Sequence, residues 1–284
     1  MSNPNRDDRI LPETHWIALV IVPFLLAAFI LLYFWPDNTT ELFAWTIKPT
    51  MTPLIMGAGY IAGAYFFVRV FLEQRWHRVG IGFLSITAFT WFMGLATLLH
   101  WDRFNHNHVS FWAWLLLYLI TPLIVPLLWL RNRRTDPGTP EPDDVIIPNN
   151  IRWAIVAVGA IEFIVALGMF VAPDFAISTW PWKLTPLTAR VVAGWFALPG
   201  VLGLQMIMER RWSALRITLG SQIIGLALIL VGVVRAWSNF DSANPWTWLF
   251  VTLIGLSFVG FSILYLAMEA RRGKMQAPQV GLAG

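Results

Sequence analysis

The chain has 284 residues, of which 57% are hydrophobic and 13% charged, whereas soluble domains carry about 25% charged residues. With a mean hydropathy of +0.62, a soluble globule, a disordered chain and a fibrous repeat are poor descriptions, and a polytopic membrane protein remains. Cysteine is absent, which excludes disulfides, thiolate metal sites, iron–sulfur clusters and cysteine nucleophiles. The net charge is only +4, and the basic residues follow membrane topology, so no nucleic-acid partner is expected.

A spanning helix needs about 20 mainly apolar residues to cross roughly 30 Å of hydrocarbon. The leader before the first apolar run carries Asp7, Asp8 and Glu13, and no small-x-small cleavage site follows the run. An uncleaved first span is therefore expected at Ile17–Trp35. The spans that follow are Thr52–Leu72, Val79–His100 and Val109–Leu130, then, after a break, Trp153–Ala172, Leu187–Met208, Leu215–Trp237 and Trp246–Met268. These runs are long and continuous, so helices are expected, not the short alternating segments of a barrel.

Fifteen of the 20 Lys and Arg residues fall on the side holding both termini, loops two-three, four-five and six-seven; Lys48, Arg103, Lys183, Arg190 and Arg235 fall on the other. This asymmetry predicts cytoplasmic termini, in a bacterial cytoplasmic membrane. Most of the 17 Trp lie at predicted membrane edges, only Trp91 and Trp195 well inside a span, which reads as interfacial anchoring. Arg75-Trp76-His77-Arg78 and Arg210-Arg211-Trp212 read as ordinary inside-positive anchors.

The chain also matches itself. At an offset of 137, Trp16 falls on Trp153, Pro36 on Pro173, Trp45 on Trp182, Pro49 on Pro186 and Gly57 on Gly194. With one residue lost, Glu73 falls on Glu209 and Trp76 on Trp212; with two more lost, Trp112-Ala-Trp114 falls on Trp246-Thr-Trp248. Rare residues in ordered register point to a duplication. The expected fold class is an all-α polytopic membrane protein of eight transmembrane helices, a tandem duplication of a four-helix unit. Four spans per unit make these parallel repeats, with a pseudo-two-fold axis along the membrane normal. Residues 1–134 form the first repeat, 135–150 a Pro- and charge-rich cytoplasmic linker, 151–272 the second repeat and 273–284 a disordered tail. Gly59-x-x-x-Gly63 predicts close approach of another helix to span two.

Three groups could carry chemistry. Glu162 lies mid-span, where an acid costs about 2.5–3.5 kcal/mol on insertion scales and should face the bundle or a water cavity. Gly159 and Ala166 share its helical face, and Gln205, Ser221 and Gln222 are its candidate partners. Glu162 reads either as a proton, cation or ligand site, or as a protonated acid bonded to a neighbouring helix. Trp45, Lys48, Trp182, Lys183 and Arg190 form the second group, an outer mouth over a cavity between the halves, or simple helix-start anchors. His100, Asp102, His106 and His108 form the third, a weak metal candidate whose spacing fits no metal motif better than a solvated loop.

No HExxH, Walker loop or GxSxG elbow is present, and no cofactor is expected. The reading is a non-enzymatic membrane protein that binds or moves a small or lipid-like solute between its two halves. The alternatives are a membrane-embedded enzyme acting on lipid at the outer interface, and an accessory subunit of a larger complex. The lipid bilayer is the one required partner; a homo-oligomer and a complex subunit are both compatible with the sequence.

Overall fold

The computed structural model describes residues 6–276. Its helices are α1 (Pro12–Phe34), α2 (Thr39–Leu42), α3 (Met51–Leu72), α4 (Gly80–Leu99), α5 (Val109–Asn132), α6 (Asn149–Val171), α7 (Pro173–Thr179), α8 (Pro186–Gln205), α9 (Trp212–Arg235) and α10 (Pro245–Gln276). Among the described residues, eight helices are long and apolar enough to cross a membrane, all but α2 and α7. The protein is thus all-helical and fits an integral membrane protein. Two isolated antiparallel bridges, Arg9–Arg75 and Ile146–Arg211, are the only extended pairings among the described residues.

The ends of the spans follow their capping chemistry. α1 opens at Pro12, five residues before the expected Ile17, because Pro at the first helical position lacks only a donor that would be orphaned anyway. α8 starts on a capping box, in which the Thr185 hydroxyl accepts from the Thr188 N–H and the Thr188 hydroxyl accepts from the Thr185 N–H. α8 stops at Gln205 instead of Met208, and the Arg152 guanidinium donates to the freed Ile207 carbonyl at 3.2 Å. α10 runs on to Gln276, so residues 273–276 are helical and not a disordered tail; the rest of that segment lies outside the described residues.

The spans pack in two chains of neighbours. α1 lies along α3, α3 along α9 and α9 along α10; α6 lies along α8, α8 along α4 and α4 along α5. Helices α3 and α8 are the most buried, and α10 is the most exposed. Glycines set the closest approaches. A Cβ on Gly159 of α6 would stand 2.7 Å from the Gly203 Cα of α8, and one on Gly57 of α3 would stand 2.9 Å from the Tyr33 Cβ of α1. Gly59 works differently from the expected helix-packing motif. Its missing side chain makes room for an indole, since a Cβ there would lie 2.2 Å from the Trp195 ring, while Gly63 meets only Leu25, at 3.4 Å.

At the end of the bundle that carries the N-terminal segment, loop α3–α4, residues 135–148 and loop α8–α9, charges are buried. Asp8 adopts a left-handed φ of 56°, which Asp tolerates better than most residues. Its N–H donates to the Thr135 carbonyl (2.9 Å), and its carbonyl accepts from the Trp76 N–H (2.7 Å). The Asp8 carboxylate pairs with the His77 ring at Nδ1, and His77 Nε2 lies 3.0 Å from Ser213 Oγ. Ser213 donates its N–H and hydroxyl to Asp144. An unbroken polar chain Asp8–His77–Ser213–Asp144 therefore ties the N-terminal segment and loop α3–α4 to α9, with His77 and Ser213 only 3% and 2% exposed.

The segment expected to be a plain linker is part of this core. Buried Glu141 accepts from Arg75 Nη1 (2.9 Å), Arg78 Nε (2.8 Å) and Arg78 Nη2 (3.0 Å). Asp136 accepts a two-pronged pair from Arg211, both at 2.9 Å. The arginines expected to be surface anchors are thus neutralised from within. Burial opposes the charge on Arg78 and Arg211, but their carboxylate partners outweigh it and raise both pKa values above the ordinary arginine value. The expectation of interfacial Trp also fails at Trp45, Trp76, Trp114, Trp182 and Trp212, which are at most 5% exposed. Each packs on the other aromatic rings or side chains at its end of the bundle, and a buried ring gains more from burial than from the interface.

Corresponding contacts recur along the chain. Trp76 N–H donates to the Asp8 carbonyl and Trp212 N–H to the Val145 carbonyl; Asn105 N–H donates to the Ala44 carbonyl and Asp241 N–H to the Pro181 carbonyl. The Trp112 indole donates to the His106 carbonyl at 2.9 Å, and the Trp248 indole to the Ser242 carbonyl at 3.0 Å.

Candidate functional site: an intramembrane cavity

A cavity of about 210 Å³ lies among the spans, and all eight contribute to its wall. The wall is mainly apolar and aromatic. Its polar part is Glu162 from α6, Thr218, Ser221 and Gln222 from α9, Ser257 from α10, Ser85 and Thr90 from α4, Thr121 from α5, the Tyr60–Tyr118 pair, and the indole N–H groups of Trp180 and Trp195, which are buried without a partner among the described residues.

Glu162 reaches the cavity because of its helical neighbours. Gly159 lies against the α8 backbone, and Ala166 is fully buried. These small residues, three before and four after Glu162, bring that face of α6 onto α8 and leave the longer side chain at the edge of the contact. Among the described residues the Glu162 carboxyl has no hydrogen-bond or ion-pair partner, and neither has the Gln222 amide. Ser221 is occupied, donating to the Ala62 carbonyl at 2.8 Å. Gln205 lies elsewhere: its amide donates to the Ile81 carbonyl (2.8 Å) and to Ser85 Oγ (3.2 Å), joining α8 to α4. Of the three expected partners, then, the structure brings Gln222 and Ser221 to the cavity with Glu162 and withdraws Gln205 into a helix contact.

Two features of the wall were not anticipated. Trp195 projects from α8 into the slot left by Gly59, with its ring 4.4 Å from Phe89 and 5.2 Å from Tyr60. Tyr60 and Tyr118 are buried with their hydroxyls 2.9 Å apart. The signal for both was present in the sequence as polar-tipped aromatics within apolar runs, which seldom face lipid when a partner is near.

The outer-mouth group is divided. Lys48 and Lys183 are exposed, but Trp45 and Trp182 are buried beneath them, and the Trp182 indole donates to Thr52 Oγ1 at 2.9 Å. Arg190 turns sideways, donating to the Phe170 carbonyl (3.0 Å) and to His100 Nε2 (2.7 Å). Burial, the neighbouring Arg190 and Arg103 together lower the His100 pKa below the ordinary histidine value, against the pull of Asp102. The mouth group is thus a pair of helix-start plugs with lysines above them, and none of the five lines the cavity.

The histidines do not converge. His100 binds Arg190, His106 packs on the Trp101 ring at 5.0 Å, and His108 accepts at the start of α5 from the Ser110 N–H at 3.2 Å. Asp102 lies beside Arg103, largely exposed. Among the described residues no group of three His, Cys, Asp or Glu is placed to hold a metal ion, so the weak metal candidate gains no geometry.

Comparison with known proteins finds no matching family model, no matching curated protein and no matching solved structure.

Proposed function

We propose that the protein binds a small or lipid-like amphipathic solute in the cavity among its spans, and moves it within or across the membrane. The observation that carries this reading is a carboxyl and an amide, Glu162 and Gln222, that face one apolar intramembrane cavity with no protein partner. A buried polar group without a partner costs free energy, and an occupant with a matching polar head offsets it. Mainly apolar walls with a few converging polar groups are the usual make-up of a small-molecule site.

The architecture we infer with it is a tandem duplication of residues 1–134 and 151–272, related by a pseudo-two-fold axis along the membrane normal. The recurring contacts support it, with an offset of 137 between Asp8 and Val145 and between Ala44 and Pro181. From Trp76 onward the recurring contacts run at 136 to the end, so Trp112 corresponds to Trp248 by its hydrogen bond, and not to Trp246. The matching packing of α1 on α3 and of α6 on α8 supports it too. Cytoplasmic termini in a bacterial cytoplasmic membrane rest on the basic asymmetry, with the basic loops meeting at one end of the bundle.

The cysteine-free chain makes a direct test simple. A single cysteine at Ser257, on the cavity wall, should react with a membrane-permeant maleimide and should be protected, saturably, by solutes that enter the cavity. Alkylation that no amphiphile slows would remove the reading.

A further inference from the structure

We propose that the solute class held at Glu162 is an amphiphilic monocation: one cationic head on a short apolar body. This rests on the reading of the cavity as a binding site. The charge inventory of the wall leads to it. No Lys, Arg or His lines the cavity, and Glu162 is its one carboxylate. An ionised carboxylate in an apolar surround requires a counter-charge, and the described lining residues provide none. A cationic head provides it, whereas an anionic head would bring a second negative charge to Glu162 and find only the indole N–H groups of Trp180 and Trp195, with no cationic side chain among the described lining residues.

The aromatic part of the wall suits the same occupant. Trp180, Phe196 and Phe250 line the cavity, with the Trp180 ring edge-to-face with Phe196 at 5.8 Å and tilted against Phe250 at 6.2 Å. Ring faces attract cations, most strongly where water is excluded. Gln222 presents an amide carbonyl that can accept from an ammonium head. The cavity, about 210 Å³, has room for a small head and an apolar body beside it.

The test uses the full chain with a single cysteine at Ser257 in nanodiscs of zwitterionic lipid. The probes are decylammonium, decyltrimethylammonium, decanol and decanoate, compared at equal bilayer concentration by their protection of the cysteine. Both cations should protect at concentrations at least tenfold lower than decanol, and decanoate should protect least. Glu162→Gln should bring the cations to within about twofold of decanol in the same variant. Glu162→Leu gives a second variant, since leucine stands at the matching position 25 of the other half and suits a lipid-buried helix. Thermal stability of each variant confirms that it is folded. Equal protection by decanol and the cations, or a cation preference that survives in both variants, overturns the charge assignment and leaves the cavity as a neutral-solute site. Protection by no probe at all overturns the binding reading and the assignment with it.

Discussion

Replacing Glu141 by alanine removes the carboxylate that holds loop α3–α4 to the segment joining the two sets of spans. Three guanidinium bonds are lost, at 2.8 to 3.0 Å. The two from Arg78 form a fork on a carboxylate only 5% exposed, and charge-assisted bonds of this kind are each worth roughly 1.5–3 kcal/mol. Arg78 keeps its 2.9 Å bond to Glu73, so it is not stranded, and the fork is counted at about 2 kcal/mol. Arg75 is half exposed, and its share is screened to about 0.5 kcal/mol. The sum is about 2.5 kcal/mol. At roughly 2–4 °C per kcal/mol for a chain of this size, the melting temperature should fall by about 5–10 °C, read by size-exclusion of heated, detergent-solubilised protein. Glu141→Gln keeps one acceptor and should lose about half as much. In a double-mutant cycle, Arg78→Gln and Glu141→Ala should couple instead of adding. A drop below about 2 °C for Glu141→Ala would mean the segment is a solvated linker after all.

Acid should act through Asp136, where burial alone would raise the pKa but bonds from Arg211 and the Gly138 N–H bring it below the ordinary value. Its contribution is fully present above the unfolded value, about 3.9, and is lost as the pH falls through the lower folded value. Asp136→Asn should therefore abolish that part of the acid sensitivity in a melting series from pH 5 to pH 3. His100 accepts from Arg190 through Nε2 and has a lowered pKa, so its neutral form is favoured in the fold. Stability from this contact is complete above the unfolded value of about 6.5 and declines as the pH falls from there toward the folded value; His100→Asn should flatten that decline. Gly159→Val should prevent folding, since its Cβ would meet the α8 backbone at 2.7 Å, whereas Gly168→Ala, with nothing within 4 Å, should leave expression and melting unchanged. For topology, a cysteine at Pro140 should resist an impermeant maleimide in intact cells and one at Asn107 should react; the reverse pattern would invert the assigned orientation.

The spans were legible because hydrophobic run length is a one-dimensional signal, and capping chemistry moved their ends by only a few residues. Glu162 was legible for the same reason, as a lone charge in an apolar run. What could not be read was which charges meet. Arg75, Arg78 and Arg211 look the same in sequence whether they face headgroups or Glu141 and Asp136, because the deciding acids lie on a distant segment that reads as linker. The same holds for Trp76 and Trp212, whose edge-of-span position fits an interfacial belt and a buried plug equally well. Gln205 stands out in sequence as a polar residue in an apolar span, but which way a helix face turns is not legible there, and its amide meets Ile81 and Ser85. The Asp8–His77–Ser213–Asp144 chain joins three loop residues to the first turn of α9 through tertiary contact alone, and no spacing announces it.

The most direct test of the central claim is a density map of the full chain in lipid nanodiscs, with decylammonium present and absent. The account predicts added density in the cavity with its head at Glu162 and Gln222 and its body against the aromatic wall. A map in which the Glu162 carboxyl faces acyl chains with no polar neighbour, and the cavity is closed by packed side chains, would contradict it.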